Sequence, residues 1–170
     1  MNFKRYKLFY CFLIAISLCS NRSNAQTPAS PTTSANFQIY KVWADAAAEL
    51  KYASVLAQKS NKQILVFVGG NWCIWCKRLH TYMEGSSSIQ NELKNYVVVH
   101  INYSKENKNE LVLSKLNNPQ QFGFPVCVLL DKNGKYMLTQ PTSDWEEAKS
   151  YSEEKIEAFL QGDVEYKDTH

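Results

Sequence analysis

Apolar positions recur along the chain with two periods, one typical of helices and one typical of short buried strands. Residues 43–58 place small and apolar side chains at helical spacing, with charged residues outside that face, which predicts an amphipathic helix. Three β-branched and apolar runs predict buried strands, at Gln63 to Val68, Tyr96 to Ile101 and Val126 to Leu130. The chain therefore mixes helices with strands.

Three further segments have helical spacing and recognisable ends. Cys73 to Met83 predicts a helix that follows the first strand after a short turn. Lys105 to Leu116 predicts another helix, with Ser104 as its N-cap. The last predicted helix has Ser152 as its N-cap and stops at Gly162.

A tight hairpin is predicted near the end of the sheet. Residues 131–134 contain the Asn-Gly pair typical of such turns, and Lys135 to Thr139 predicts the returning strand. The order helix, strand, helix, strand, helix, strand, hairpin, helix predicts an α/β fold with a central mixed β-sheet flanked by helices.

The first 25 residues have the pattern of a secretory signal peptide. A basic start is followed by an apolar stretch over residues 8–18 and then by small residues, which predicts cleavage after Ala25. The stretch is 11 residues long. A membrane-spanning helix needs about 20 apolar residues. We therefore expect a periplasmic or secreted protein.

Cys19 gives this segment an alternative interpretation as a lipidation signal. A cysteine late in a signal sequence can be lipidated after cleavage, which would tether the protein to a membrane. Leu18 stands where a small residue is expected before such a cysteine, so cleavage after Ala25 is the preferred interpretation.

The length of 170 residues suits one ordinary globular core rather than two. Residues 26–36 are rich in Thr, Pro, Ser and Ala without a hydrophobic period, which predicts a disordered spacer. We expect one domain over residues 37–163 and a C-terminal tail over residues 164–170.

Charge gives no indication of a nucleic-acid partner. The whole chain has a formal charge of +3, but the predicted signal peptide contributes four basic side chains and no acidic ones. The remaining 15 basic and 16 acidic side chains nearly cancel, and they form no basic run.

Two cysteines separated by two residues are the main candidate for chemistry. Of the five cysteines, Cys73 and Cys76 form this local pair, and Cys127 stands alone in a predicted strand as a small buried hydrophobe. Cys73 begins the predicted helix, where free backbone N–H groups and the helix dipole favour a thiolate. We therefore expect Cys73 to be the nucleophile of a redox-active disulfide and Cys76 to be the resolving thiol.

Three motifs in order resemble those of the thioredoxin superfamily, and in particular its exported bacterial members. They are Trp-Cys-Ile-Trp-Cys-Lys at residues 72–77, Phe-Gly-Phe-Pro at residues 122–125, and the hairpin at residues 131–135. The resemblance covers about residues 40–162. It implies a thioredoxin-like fold and a thiol–disulfide oxidoreductase that uses no cofactor.

The resemblance also implies how a substrate would bind. It implies a cis peptide bond between Phe124 and Pro125 opposite the dithiol, with the Phe124 backbone pairing with an extended substrate peptide. Trp72 and Trp75 would form the docking surface, and we expect Trp75 to be exposed. The expected partners are protein thiols and disulfides and a membrane redox protein, and a monomer is expected.

One position departs from the family pattern. Many thioredoxins have a buried acid six residues before the first cysteine, where it helps to remove the proton of the resolving thiol. This chain has Phe67 there. An apolar neighbour would raise the pKa of Cys76 and slow resolution unless another group assists.

Two other functions remain open from the residues alone. Cys73, Cys76 and His80 have ligand-like spacing for a metal, with His100 or Cys127 needed as a fourth ligand. Covalent haem attachment is not expected, because the second cysteine is followed by lysine rather than histidine. The other alternative is a binding module in which the cysteine pair is only a structural disulfide.

Overall fold

The computed structural model describes residues 38–162. The predicted signal peptide (1–25), with the candidate lipidation site Cys19, lies outside the described residues. The predicted spacer (26–36), residues 37 and 163, and the predicted tail (164–170) also lie outside them.

Four strands form the central sheet in the order β2-β1-β3-β4. Their bounds are Gln63–Gly69 for β1, Tyr96–Asn102 for β2, Val126–Leu130 for β3 and Tyr136–Pro141 for β4. The β1 and β2 strands are parallel, whereas β3 is antiparallel to both β1 and β4. The sheet is therefore mixed, and the predicted α/β class is confirmed.

Helices pack on both faces of this sheet. They are α1 (Ala46–Ser60), α2 (Ile74–Gly85), α3 (Ser87–Leu93), α4 (Glu110–Lys115) and α5 (Glu153–Gln161). Successive side chains of a strand point to opposite faces, and β1 is buried along its apolar length. Its residues Ile64, Val66 and Val68 join a cluster with side chains of α1 and α4, whereas Leu65 and Phe67 join a second cluster with α2, α3 and α5.

The predicted helix over residues 105–116 is wrong in its first half. The helix α4 begins only at Glu110, and Ser104 is not its N-cap. Asparagine side chains bond the backbone of this loop instead: Asn102 donates to the Asn107 carbonyl at 2.8 Å, and the Asn107 side chain accepts the Asn109 N–H at 3.2 Å. The Asn107 side chain also donates to the Val42 carbonyl at 2.9 Å. Such bonds compete with helix formation, and they hold this segment as a loop.

Two elements were not predicted. The Ser86 hydroxyl accepts the Ile89 N–H at 3.2 Å and starts the short helix α3. After β4, Glu146–Glu147 (β5) and Ser150–Tyr151 (β6) form a small hairpin.

The final helix runs as predicted, although the side chain of its N-cap residue Ser152 makes no capping hydrogen bond. Within residues 38–162 there is no helix with the length and apolarity to cross a membrane.

Gly134 is required by the geometry of the hairpin turn. It has a φ of +82°, and a Cβ there would lie 2.7 Å from the Ser54 hydroxyl oxygen. We expect Gly134→Ala to lower the free energy of unfolding by about 1–2 kcal/mol, because side chains other than glycine are strained at this φ. Urea unfolding provides the measurement.

Gly85→Ala is the matched control, since a Cβ at Gly85 would meet no atom within 4 Å. At the end of a helix it should leave stability unchanged or raise it by up to about 1 kcal/mol. Equal stability of the two variants would contradict the assigned turn geometry.

Candidate active site

Cys73 is the N-cap of α2. Its backbone is extended (φ −84°, ψ 116°), and its Sγ accepts the N–H of Cys76 at 3.1 Å. The Cys73 N–H itself donates to the Gly70 carbonyl at 3.0 Å, which closes the turn between β1 and α2. The turn therefore aims the first sulfur at the free N–H groups of the helix, as expected from the sequence.

The pKa values of the two thiols are shifted in opposite directions. The pKa of Cys73 is lowered to about 7, chiefly by a hydrogen bond from the Cys76 thiol and then by the N–H groups of Cys76 and Trp75 and the charge of Lys77, against the effect of burial. The same hydrogen bond, together with burial, raises the pKa of Cys76 far above its usual range. Near neutral pH the pair therefore consists of one thiolate and one protonated thiol that supports it.

The loop before β3 lies directly against the first thiol. The peptide bond between Phe124 and Pro125 is cis, as the resemblance implied. The Cys73 Sγ lies 3.6 Å from the Phe124 carbonyl oxygen, to which it donates when the thiol is protonated, and the buried Thr142 hydroxyl donates to the Pro125 carbonyl. Both predicted loop residues are thus brought to the dithiol, although they are about 50 positions away in the chain.

Trp72 lies on the surface beside this loop. Its side chain is 61% exposed, its Nε1 donates to the Tyr103 carbonyl at 2.8 Å, and its ring meets Phe124 edge-on with centroids 5.7 Å apart. Tyr103 packs against the same phenylalanine at 4.8 Å. Three aromatic rings therefore border one side of the dithiol.

The predicted exposure of Trp75 is wrong. Its side chain is half-buried, because the ring packs edge-on against Tyr151 of β6 at 5.7 Å and the Arg78 guanidinium lies 4.6 Å from the ring centre. Ile74 is the exposed residue between the cysteines, at 58%. The small hairpin that covers Trp75 had no recognisable sequence signal.

Tyr40 is a site residue that the sequence did not indicate. It is 2% exposed, it forms a cluster with Cys73 and Cys76, and its hydroxyl and the Cys76 Sγ both lie against Gly69. Asn71 fixes its backbone, accepting the Tyr40 N–H at 3.0 Å and donating to the Tyr40 carbonyl at 2.7 Å. The tyrosine belongs to no predicted element and lies far from the cysteines in the chain, so no local pattern could identify it.

The other residues considered in the sequence analysis are Phe67, His80, His100 and Cys127. Phe67 is buried and stacks on His100 with centroids 5.6 Å apart. Burial, and then the charge of His80, lowers the pKa of His100 to about 4, while His80 itself pairs with Glu84 at 3.1 Å. Cys127 is fully buried, which fits its interpretation as a small hydrophobe.

The metal alternative finds no support in this geometry. Within residues 38–162 no three His, Cys, Asp or Glu side chains are grouped so that they could hold a metal ion. The structure describes both Cys73 and Cys76 as free thiols.

Comparison with known proteins points to one family. A thioredoxin-like family model matches residues 43–132, which include both cysteines and the Phe124-Pro125 bond. The disulfide bond reductase DsbH of Chlamydia pneumoniae is 25% identical over 142 residues, which cover 75% of this chain and 78% of that protein. A crystal structure of a disulphide isomerase from Xylella fastidiosa Temecula1 is 25% identical, with a TM-score of 0.65, over 75% of this chain and 97% of the other.

A second group of relatives is much longer. The thiol:disulfide interchange protein DsbD of Klebsiella pneumoniae subsp. pneumoniae is 25% identical over 105 residues, and this chain spans only 17% of its length. The likeness to that protein is therefore to one part of it. Because the family model covers more than half of the chain, and the fold and the dithiol agree with it, the chain belongs to the thioredoxin-like family.

Proposed function

We propose that this protein is a thiol–disulfide oxidoreductase that acts on protein disulfides outside the cytoplasm. The observation that carries the proposal is the acidic Cys73 thiol, with a pKa of about 7, at the start of α2 and within hydrogen-bonding distance of Cys76. A structural disulfide does not require such an acidic thiol, so the pair is better suited to exchange than to cross-linking.

The proposed reaction proceeds in two exchanges. The Cys73 thiolate attacks a substrate disulfide, forms a mixed disulfide with one substrate sulfur and releases the other as a thiolate. Cys76 then attacks the Cys73 sulfur, forms the Cys73–Cys76 disulfide and releases the second substrate sulfur. Two electrons pass from the dithiol to the substrate, and the two protons of the dithiol form remain with the released thiols.

The proposed docking surface lies between the dithiol and the loop at Phe124 and Pro125. A substrate segment in extended conformation would pair with the Phe124 backbone, next to the Cys73 sulfur. Trp72, being exposed, supplies apolar contact area on one side, whereas the half-buried Trp75 contributes chiefly through the edge of its ring.

We propose reduction as the direction. A very acidic thiol stabilises the dithiol form and makes a strong oxidant, whereas the pKa of about 7 for Cys73 is similar to that of thioredoxins, which are reductants. Of the two proteins above that match 75% of this chain, one is named a disulfide bond reductase and the other a disulphide isomerase, so the pKa carries the choice of direction. A reductase in an oxidising compartment needs electrons, so a membrane redox protein is the proposed donor.

The export of the protein is supported by the predicted signal peptide over residues 1–25. With cleavage after Ala25 the protein would be free in the periplasm or secreted. With lipidation at Cys19 it would act at a membrane surface, closer to the proposed donor.

The two cysteines should fail in different ways when substituted. Cys73→Ser should abolish exchange, because no thiolate attacks the substrate, whereas Cys76→Ser should accumulate mixed disulfides with protein substrates. Non-reducing gels and mass spectrometry report these species, and Cys127→Ala is the control, expected to behave as the unaltered protein because it keeps this buried position apolar. Efficient turnover by either active-site variant would contradict the mechanism.

The acidity of Cys73 predicts the pH dependence of its alkylation. Because the lowered pKa is about 7, modification by iodoacetamide should be half-maximal near pH 7 and should fall about ten-fold per pH unit below that. Cys76→Ala should move the midpoint upward, because it removes the hydrogen bond that lowers the pKa most. Mass spectrometry assigns the label to Cys73, and native Cys127 should stay unlabelled.

A midpoint of about 8.5 in the unaltered protein, the value of an ordinary thiol, would count against the assigned site geometry.

The proposed direction predicts the redox potential. Equilibration with glutathione should give a value nearer to about −270 mV, typical of thioredoxins, than to about −120 mV, typical of strongly oxidising periplasmic thiol proteins. Alkylation followed by mass spectrometry measures the fraction of oxidised protein. A value near the oxidising limit would exclude reduction as the main activity, and a pair that never exchanges would favour the binding module.

A further inference from the structure

The resolving thiol faces a chemical difficulty in this site. Cys76 is 2% exposed, and it must become a thiolate to attack the mixed disulfide on Cys73. Burial raises the free energy of that thiolate. The position at which many family members have an acid is occupied by Phe67, whose ring stacks on His100.

A phenolic hydroxyl lies at the sulfur that must ionise. The hydroxyl of Tyr40 and the Sγ of Cys76 converge above Gly69, where an added Cβ would lie 2.5 Å from the sulfur and 2.6 Å from the oxygen. The hydrogen bond to Cys73 and burial raise the pKa of Cys76, whereas the Gly70 N–H and, after it, the Tyr40 hydroxyl lower it. Only a residue without a side chain leaves room for this contact, which gives Gly69 its place at the end of β1.

The tyrosine is held rigidly for this contact. Both polar groups of its backbone are bonded to Asn71, a residue of the turn that leads into Cys73. Its ring meets His100 edge-on with centroids 5.7 Å apart. The same turn therefore fixes the nucleophile and the tyrosine, so the hydroxyl keeps its position relative to the two sulfurs.

The hydroxyl is suited to donate a hydrogen bond and not to remove a proton. Burial, followed by the charge of Cys76, raises the pKa of Tyr40 well above its ordinary value, so the phenol stays protonated. A buried phenol with its proton in place can stabilise an anion beside it, as the donors of an oxyanion hole do.

We propose that Tyr40 is a catalytic residue of the resolving step, in which its O–H donates a hydrogen bond to the Cys76 sulfur as that sulfur becomes a thiolate. This inference rests on the proposed thiol–disulfide exchange. The Cys76 thiolate forms a bond to the Cys73 sulfur, and the bond between Cys73 and the substrate sulfur breaks. The proton lost by Cys76 ends on the departing substrate thiolate, and the phenolic proton stays on Tyr40.

A single-turnover reaction separates this step from the first attack. The reduced protein is mixed with a symmetric nitrobenzoate disulfide, whose released thiolate is coloured. Attack by Cys73 releases one equivalent, and resolution by Cys76 releases a second equivalent in a later phase. Stopped-flow absorbance gives both rate constants in the same experiment.

Tyr40→Phe removes only the hydroxyl and keeps the ring that packs in the site. The first phase should be nearly unchanged, and the second should slow by about three- to ten-fold. A hydrogen bond to a charged group changes a pKa by about one to two units, and part of the lost thiolate is offset by its greater nucleophilicity. Tyr136→Phe is the matched control. Tyr136 is the first residue of β4, at the end of the strand away from the dithiol, and its hydroxyl contacts Thr139. This variant should alter neither phase.

A fluorinated tyrosine introduced at position 40 tests the donor without removing it. Its more acidic hydroxyl is a stronger donor and should accelerate the second phase, an effect that a purely structural tyrosine would not produce. If Tyr40→Phe slows both phases through a packing defect, the fluorinated variant still tests whether the Tyr40 hydroxyl acts as a donor in the second phase.

The outcomes are distinguishable. If the unaltered protein releases only one equivalent, the proposed exchange function fails and this inference fails with it. If the unaltered protein shows both phases but Tyr40→Phe and the fluorinated variant leave the second phase unchanged, only the role of Tyr40 is overturned.

Discussion

The hydrogen bond between the two thiols is the interaction on which the rest of the site depends. It lowers the pKa of Cys73 and raises the pKa of Cys76, and the proposed roles of nucleophile and resolving thiol rest on this difference. Cys73 stands at the N-cap of α2, where its sulfur is turned toward the first turn of the helix and also accepts the Cys76 N–H at 3.1 Å. The helix start, rather than any single charged neighbour, therefore determines the chemistry of the pair.

The sheet supplies the rigidity that this arrangement requires. The central strand β1 is buried on both faces, and it ends at the turn that carries Asn71 and leads into Cys73. The antiparallel neighbour β3 begins directly after Pro125, so pairing of Val68 with Val126 brings the proline loop beside the dithiol turn. Strand register therefore brings together two motifs that are far apart in sequence, and the contacts of Cys73 and Trp72 with Phe124 then join them directly.

Features encoded by short-range patterns could be predicted from the sequence, and features made by long-range contacts could not. The three main strands, the dithiol helix and the Asn-Gly hairpin each have a periodic or turn signal within about a dozen residues. The burial of Trp75 depends on Tyr151, which belongs to a two-residue strand without any period. Residues 105–109 are all charged or polar and so have no apolar spacing, and asparagine side chains bond their backbone in place of helical hydrogen bonds. The proposed contribution of Tyr40 depends on a fold that brings it next to the second cysteine.

Tyr40 reaches the dithiol from a segment in which the structure describes no helix or strand of the domain. Residues 38–45, the described part of the segment before α1, join no strand of the sheet, and two asparagine side chains bond their backbone, Asn71 at Tyr40 and Asn107 at Val42. The sheet, both apolar clusters and all five helices of the described region are built from residues that follow this segment. A piece of chain that begins at α1 contains every helix and strand of the described region but lacks Tyr40. A limited cleavage between Val42 and Ala46 would therefore break the covalent link between the tyrosine and the dithiol while leaving all of these elements in one chain.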